Sequence, residues 1–174
     1  DDFDCDQVSN EEDCDPNHPA VTLATIPLQV PGDLASLDEA GAAACQGQEI
    51  SLGRGSFSGG VNLSEKSLSL TGEGREVTII EAPAGESAIV VGDGRVEDLL
   101  ITGAEAANKG GGLLILGHAE VSRIKIQGTS AERGGGIFIE SDAVANLNDV
   151  EIVENSATNK GGAIYADTGS SLTM

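Results

Sequence analysis

The chain has 174 residues, a formal charge of −20, 24 glycines, three cysteines, no tryptophan and 2% aromatic residues. That length is enough for one domain with a sizeable core. The charge disfavours nucleic acid and anionic membrane surfaces as partners, and no run reaches the roughly 18 apolar residues that a membrane-inserted helix needs.

Residues 1–20 form a separate acidic segment holding Asp1, Asp2, Asp4, Asp6, Glu11, Glu12, Asp13 and Asp15, while the first cation is Arg54. Asp2, Asp4 and Asp6, and then Asp13, Asp15 and Asn17, place hard oxygen ligands at every second residue. Such spacing turns several of them toward one Ca²⁺, and a divalent cation would relieve the repulsion among the carboxylates. The competing reading is a solvated acidic linker, since neither cluster has the mid-loop glycine or the bidentate glutamate of a full EF-hand. Asp13-Cys14-Asp15-Pro16-Asn17-His18-Pro19 resembles the aspartate-rich metal-binding repeats of secreted bacterial proteins and, more loosely, thrombospondin type 3 repeats. The resemblance implies calcium as a cofactor. Cys5, Cys14 and Cys45 are the disulfide candidates; they allow three single bridges, and spacing does not choose among them. Their spacing does not suit zinc, with His18 the sole nearby partner.

Residues 21–47 read as an extended entry, with prolines at 27 and 31, followed by a short helix over 33–45. Leu34, Leu37, Gly41 and Ala44 have helical spacing, and Ser36-Leu37-Asp38-Glu39 has the form of a capping box. This helix resembles the amphipathic cap that covers the N-terminal end of many β-helices, an end that would otherwise offer unpaired backbone to another chain. Strands are expected at 50–52, 61–63, 68–70 and 77–80, with turns at 72–74 and 83–85.

From residue 86 onward the chain repeats. Lys109-Gly110-Gly111-Gly112-Leu113-Leu114 recurs as Arg133-Gly134-Gly135-Gly136-Ile137-Phe138 and as Lys160-Gly161-Gly162-Ala163-Ile164-Tyr165, at spacings of 24 and 27 residues. Glu86-Ser87-Ala88-Ile89-Val90 is a fainter copy 24 residues earlier. A second apolar segment recurs in each unit, so that Leu99, Ile124 and Val150 align, as do Ile101, Ile126 and Ile152, with Leu100, Lys125 and Glu151 between them. Period-two alternation is the strand signal, with one face buried. Repetition at this period means stacked rungs. With rungs about 4.8 Å apart, Ala88, Gly112, Gly136 and Ala163 fall at a tight corner where stacked bulk would clash and where glycine supplies positive φ. A phosphate-binding loop would need a following helix, and strands follow here.

These glycine-rich corners resemble right-handed parallel β-helix repeats, especially the Gly-Gly-Ala-Ile repeats of polymorphic outer membrane proteins. The companion motif of that family, an apolar residue, two others and Asn, is matched by Ile152-Val153-Glu154-Asn155 and lost at Ile126-Gln127-Gly128-Thr129. The expected fold is therefore all-β: a right-handed parallel β-helix over 48–174, incomplete at its C-terminus, with the short capping helix and the acidic segment before it.

Alternation also exposes candidate working surfaces. If Ile89, Leu113, Ile137 and Ile164 point inward, then Val90, Leu114, Phe138 and Tyr165 form an outward apolar ladder, read either as an interface or as stacking within the sheet. Lys109, Arg133 and Lys160 form a cationic ladder, able to hold an anionic glycan unless Glu105, Glu132 and Glu154 neutralise it. Lys125 and Glu151 fall on adjacent rungs and are expected to pair, and His118 is expected to be solvated in a turn. Some β-helices cleave polysaccharides with carboxylates converging in a walled groove. The best cluster of that kind is Asp93, Arg95, Glu97 and Asp98, and the turn Gly92-Asp93-Gly94-Arg95 beside it is too short to form a deep wall. The expectation is a non-catalytic extracellular or cell-surface protein, structural or adhesive, that self-associates or meets a neighbour through an open solenoid end and the apolar ladder. The alternative is a glycan-binding or carbohydrate-active module.

Overall fold

A computed structural model describes residues 26–82, 84–106 and 108–174. The first coil contains β1 (Leu28–Val30) and α1 (Leu37–Ala43), and the second β2 (Glu49–Leu52), β3 (Gly55–Ser58) and β4 (Val61–Asn62). Next come β5 (Ser69–Thr71), β6 (Thr78–Glu81), β7 (Ala84–Gly85) and β8 (Ile89–Val91). A further coil holds β9 (Gly94–Glu97), β10 (Leu100–Thr102), β11 (Glu105–Ala106) and β12 (Leu113–Ile115). The most regular coils are β13 (His118–Gln127), β14 (Ser130–Arg133) and β15 (Ile137–Ile139), then β16 (Val144–Val153), β17 (Ser156–Lys160) and β18 (Ile164–Ala166). The chain returns once more to the first wall as β19 (Ser171–Thr173).

Every pairing among these strands is parallel, and each joins one coil to the next. The result is a β-solenoid of about six turns. One large sheet stacks β1, β2, β5, β9, β13, β16 and β19 on one wall and β3, β6, β10, β13 and β16 on the next. Two smaller sheets, β7-β11-β14-β17 and β4-β8-β12-β15-β18, complete the tube.

The apolar positions meet their equivalents. Leu28, Ile50, Leu70, Val96, Val121 and Leu147 form one in-register column, Ile80, Ile101, Ile126 and Ile152 a second, and Ile89, Leu113, Ile137 and Ile164 a third. Most are wholly buried, each contributing about 1.5–3 kcal/mol relative to an exposed side chain. The alternation expected around Lys125 and Glu151 is present, and their side chains pair at 3.2 Å.

The corners are columns too. Asp98, Arg123 and Asp149 all have positive φ and bend the large sheet between its two walls. Gly103, Gly128 and Glu154 turn the next corner, and Gly110, Gly134 and Gly161 the one after, at 59°, 63° and 65°. Positive φ thus falls on the first glycine of each repeated motif, not on Gly112, Gly136 or their alanine counterparts, which corrects the sequence expectation. What Gly112 and Gly136 supply is clearance: a Cβ there would lie 2.8 Å from Gly136 O and 2.6 Å from Ala163 O, respectively. At Gly135 the demand is stricter, since a Cβ would lie 1.9 Å from Ser156 O.

The extended entry contributes a strand: β1 pairs with β2, so the stack begins ahead of the helix. Helix α1 buries Leu37 and Ala40. Its Gly41 lies against Val61 of β4, the terminal strand of its sheet. Ser36 is the N-cap, and its hydroxyl accepts from the Glu39 N–H. The Glu39 carboxylate reaches one residue further back than in the usual box, accepting from Ala35 N–H. The helix has no cation in its own last turn. Lys66 substitutes from the next coil, donating to the carbonyls of Ala42 and Ala44.

Candidate functional site

The strand after each glycine corner builds the site. Val90, Leu114, Phe138 and Tyr165 stand directly over one another in β8, β12, β15 and β18, on the side of the sheet facing away from the core columns. Their surroundings differ. Val90, Leu114 and Tyr165 are half-buried, whereas Phe138 is 0% exposed although it lies outside the main apolar cluster.

What covers Phe138 is the cationic ladder. Lys109 bridges to Arg133, and Arg133 pairs with Lys160, so the three cations stack on consecutive rungs. The positive-φ glycine that follows each one folds the chain so sharply that the cation reaches back across the next wall. Lys109 Nζ lies 4.7 Å from the Phe138 ring centroid and the Arg133 guanidinium carbon 5.7 Å from it. Tyr165 stacks on Phe138 at 5.2 Å, itself beneath Arg133 and Lys160 at 6.0 and 5.8 Å. A cation within about 6 Å of an aromatic face is attracted by the ring quadrupole. Two ladders that the sequence presents separately are therefore one layered surface.

The neutralising carboxylate is not one of the three expected. Glu140 pairs with Lys109 at 2.6 Å. Glu132 instead accepts from the Asn159 amide and Glu154 from that of Gln127. Glu140 follows the Phe138 strand on the rung above Lys109, and no local pattern announces that meeting. Arg133 and Lys160 make no ion pair among the described residues, and Arg133 Nε is a buried nitrogen without a hydrogen-bond partner. Beside this ladder lies a concavity of about 700 Å³, whose lining includes Asp38, Asn62, Val90, Asn108, Leu114 and Arg133.

The other candidate residues are placed as follows. Asp2, Asp4, Asp6, Asp13, Asp15, Asn17, Cys5 and Cys14 lie outside the described residues. Cys45 is buried and disulfide-bonded, and its partner also lies outside them. Among the described residues no cluster of His, Cys, Asp and Glu has the arrangement of a metal site. Asp93, Arg95, Glu97 and Asp98 run along β9 and just beyond its ends, not through a turn, and are occupied by pairing. Arg95 meets Glu97 and Glu120 at 3.3 Å, and Arg123 holds Asp98 through two bonds of 2.8 Å while also reaching Glu97. Those carboxylates raise the Arg123 pKa further above its already high ordinary value. His118 is exposed, but it opens β13 and is not simply solvated. Its backbone N–H donates to Asp93 Oδ1 at 2.8 Å, which is the main reason the Asp93 carboxyl lies below its ordinary range.

The companion motif also acquires a role. Asn155 Oδ1 accepts from Thr129 N–H at 2.8 Å and its Nδ2 donates to Ile126 O at 3.0 Å, tying two rungs together at a corner. Thr129 occupies the equivalent place one rung earlier, and its hydroxyl donates to Gly135 O at 2.6 Å.

Stacked parallel rungs with columns of positive-φ corners define a parallel β-helix. Residues 149–167 match the Chlamydia polymorphic membrane protein repeat. The matched stretch contains both signatures of the expected family, the Asn155 corner and the Lys160-Gly161-Gly162 corner. No curated protein and no solved structure gives a significant match. No helix among the described residues is long and apolar enough to cross a membrane.

Proposed function

We propose that this chain is a non-catalytic structural or adhesive β-solenoid displayed at a bacterial surface, with the acidic segment at residues 1–20 binding Ca²⁺. The observation that carries the reading is the in-register stack of glycine corners, which coincides at 149–167 with the polymorphic membrane protein repeat. A stacked tube is a rigid spacer with a long side wall, suited to presenting a surface repeatedly along its axis. The pairing of Asp93, Arg95, Glu97 and Asp98 supports a non-catalytic role, because charges committed to one another are poor candidates for proton transfer to a substrate. Val90, Leu114 and Tyr165 are the members of the apolar ladder that a partner would reach, with Phe138 beneath as support.

Sedimentation and electron microscopy of the purified chain, with calcium and after chelation, test this reading. Calcium-dependent assemblies are expected. A compact monomer in both conditions would refute the calcium-linked assembly and leave a monomeric adhesin. Release of unsaturated or reducing ends from a polyuronide would refute the non-catalytic reading.

A further inference from the structure

The chain carries nine lysines and arginines against 29 acidic residues, so an unpaired cation beside a concavity is unusual in it. Most of its cations are committed. Arg75, Arg95, Arg123 and Lys125 pair with carboxylates, Lys109 pairs with Glu140, and Lys66 caps the helix. Arg133 differs. Its Nε is shut away from water without a partner, and its guanidinium is held over Phe138 and Tyr165. Arg133 lines the concavity, and there its terminal Nη groups, which are not shut away as the Nε is, form the fork that an incoming carboxylate would meet.

The rest of the lining narrows the ligand. Asn62 accepts from Ser64 through its Oδ1, leaving its amide NH₂ without a partner among the described residues. Asn108 adds a second exposed amide, and Asp38 and Glu86 are acceptors on the same lining. Amides and acceptors of this kind suit hydroxyl groups. The two carboxylates would repel a polyanionic peptide, whereas a chain of hydroxyl-bearing units with one anionic group at Arg133 meets no such conflict. The volume also lies within the usual range of small-ligand sites, about 300–1,000 Å³.

We propose that this concavity binds an acidic saccharide, Arg133 taking a uronate carboxylate while Asn62, Asn108 and Asp38 meet hydroxyls. The inference rests on the adhesive half of the function proposed above and names its ligand class; it requires neither calcium nor assembly. Calorimetric titration of the full chain with a galactose-based trisaccharide carrying a single terminal galacturonate, in chelator and at low salt, is the test. Saturable binding is expected, weakened about tenfold or more in Arg133→Gln, unchanged in Arg54→Gln, and absent for a neutral galactose trisaccharide. No binding of the single-uronate trisaccharide, or equal binding by Arg133→Gln, overturns the proposal. An aspartate-rich peptide that competes as strongly as the saccharide overturns the ligand class. Should Arg133→Gln fail to fold, judged by circular dichroism, Arg133→Lys replaces it; a lone ammonium lacks the fork, so several-fold weaker binding is still expected and unchanged binding refutes the role. Because sedimentation reports assembly and titration reports the ligand, either idea can fail while the other stands.

Discussion

Replacing Phe138 with alanine removes a ring that no solvent reaches yet that lies outside the main apolar core. Phenylalanine-to-alanine changes at buried sites cost about 3–5 kcal/mol. The lower end applies here, because the cover consists of Lys109 and Arg133, whose flexible stems can settle into the gap, while Tyr165 loses its stacking partner at 5.2 Å. The expected loss is therefore about 3 kcal/mol, or roughly 6–12 °C in Tm for a chain of this length. Phe138→Leu keeps most of the apolar volume but loses the ring face that attracts the two cations, so it should cost only about 1 kcal/mol. Urea denaturation measures both variants. Because each rung touches only its neighbours, amide exchange in β15 and β18 should quicken before it does in β2 or β5. A loss below about 1 kcal/mol in Phe138→Ala would refute the argument that the cations and Tyr165 seal this ring.

Gly135→Ala should be worse than any side-chain truncation, since its Cβ would fall 1.9 Å from Ser156 O and 2.5 Å from Gly162 O, backbone atoms that cannot step aside. Overpacking commonly costs about 1–3 kcal/mol, and here the rungs themselves must separate, so circular dichroism should show loss of the last coils. Asn155→Ala leaves Thr129 N–H without its partner and removes the amide bond to Ile126 O, and should cost about 2 kcal/mol; Asn155→Asp, which keeps the acceptor, should recover part of that in the same denaturation assay. The Asp93 carboxyl, lowered first by the His118 backbone N–H and then by the His118 ring, contributes stability above its unfolded pKa that is lost as pH falls through its lower folded value. NMR titration of Asp93 should show His118→Ala retaining much of the lowering, because the backbone bond survives; a full return to the ordinary range would refute the assigned cause.

The repeat was legible because it needs only side-chain size and alternation. The motif starting at Lys109, Arg133 and Lys160 fixes where each coil turns, and the apolar residues after it fix register, so the stacking of Leu113, Ile137 and Ile164 follows from the text of the chain. Which glycine takes positive φ was not legible, because Gly134, Gly135 and Gly136 are identical until neighbouring rungs distinguish them. The pairing of Lys109 with Glu140 was hidden for a related reason: it joins residues on different rungs through side chains whose reach depends on the turn between. The same holds for Phe138. Alternation correctly sends it away from the core, but burial there is decided by Lys109 from one rung, Arg133 from its own and Tyr165 from the next. The Asn155 corner shows the opposite case. There the motif names the residue, and only the hydrogen bonds to Thr129 and Ile126 explain why its chemistry is required.

The cation and the aromatic of each motif are best understood as one device. Each is separated from the other by the glycine turn, and that turn lays the cation's stem across the strand that carries the ring. Arg133 covers both Phe138 in its own motif and Tyr165 in the next, while Lys109 reaches forward to Phe138 and Lys160 covers Tyr165. A ring on any rung is thus roofed by its own cation and by the one before it. This arrangement binds neighbouring rungs from outside the tube, where the apolar columns cannot act, and it keeps positive charge on one wall of a strongly acidic chain. Among the described residues that charge is consumed only at Lys109, which Glu140, just past β15, meets. Arg133 has no such acid among the described residues, so the residue that seals the aromatic ladder also keeps its Nη groups, unlike the shut-away Nε, for the concavity it lines.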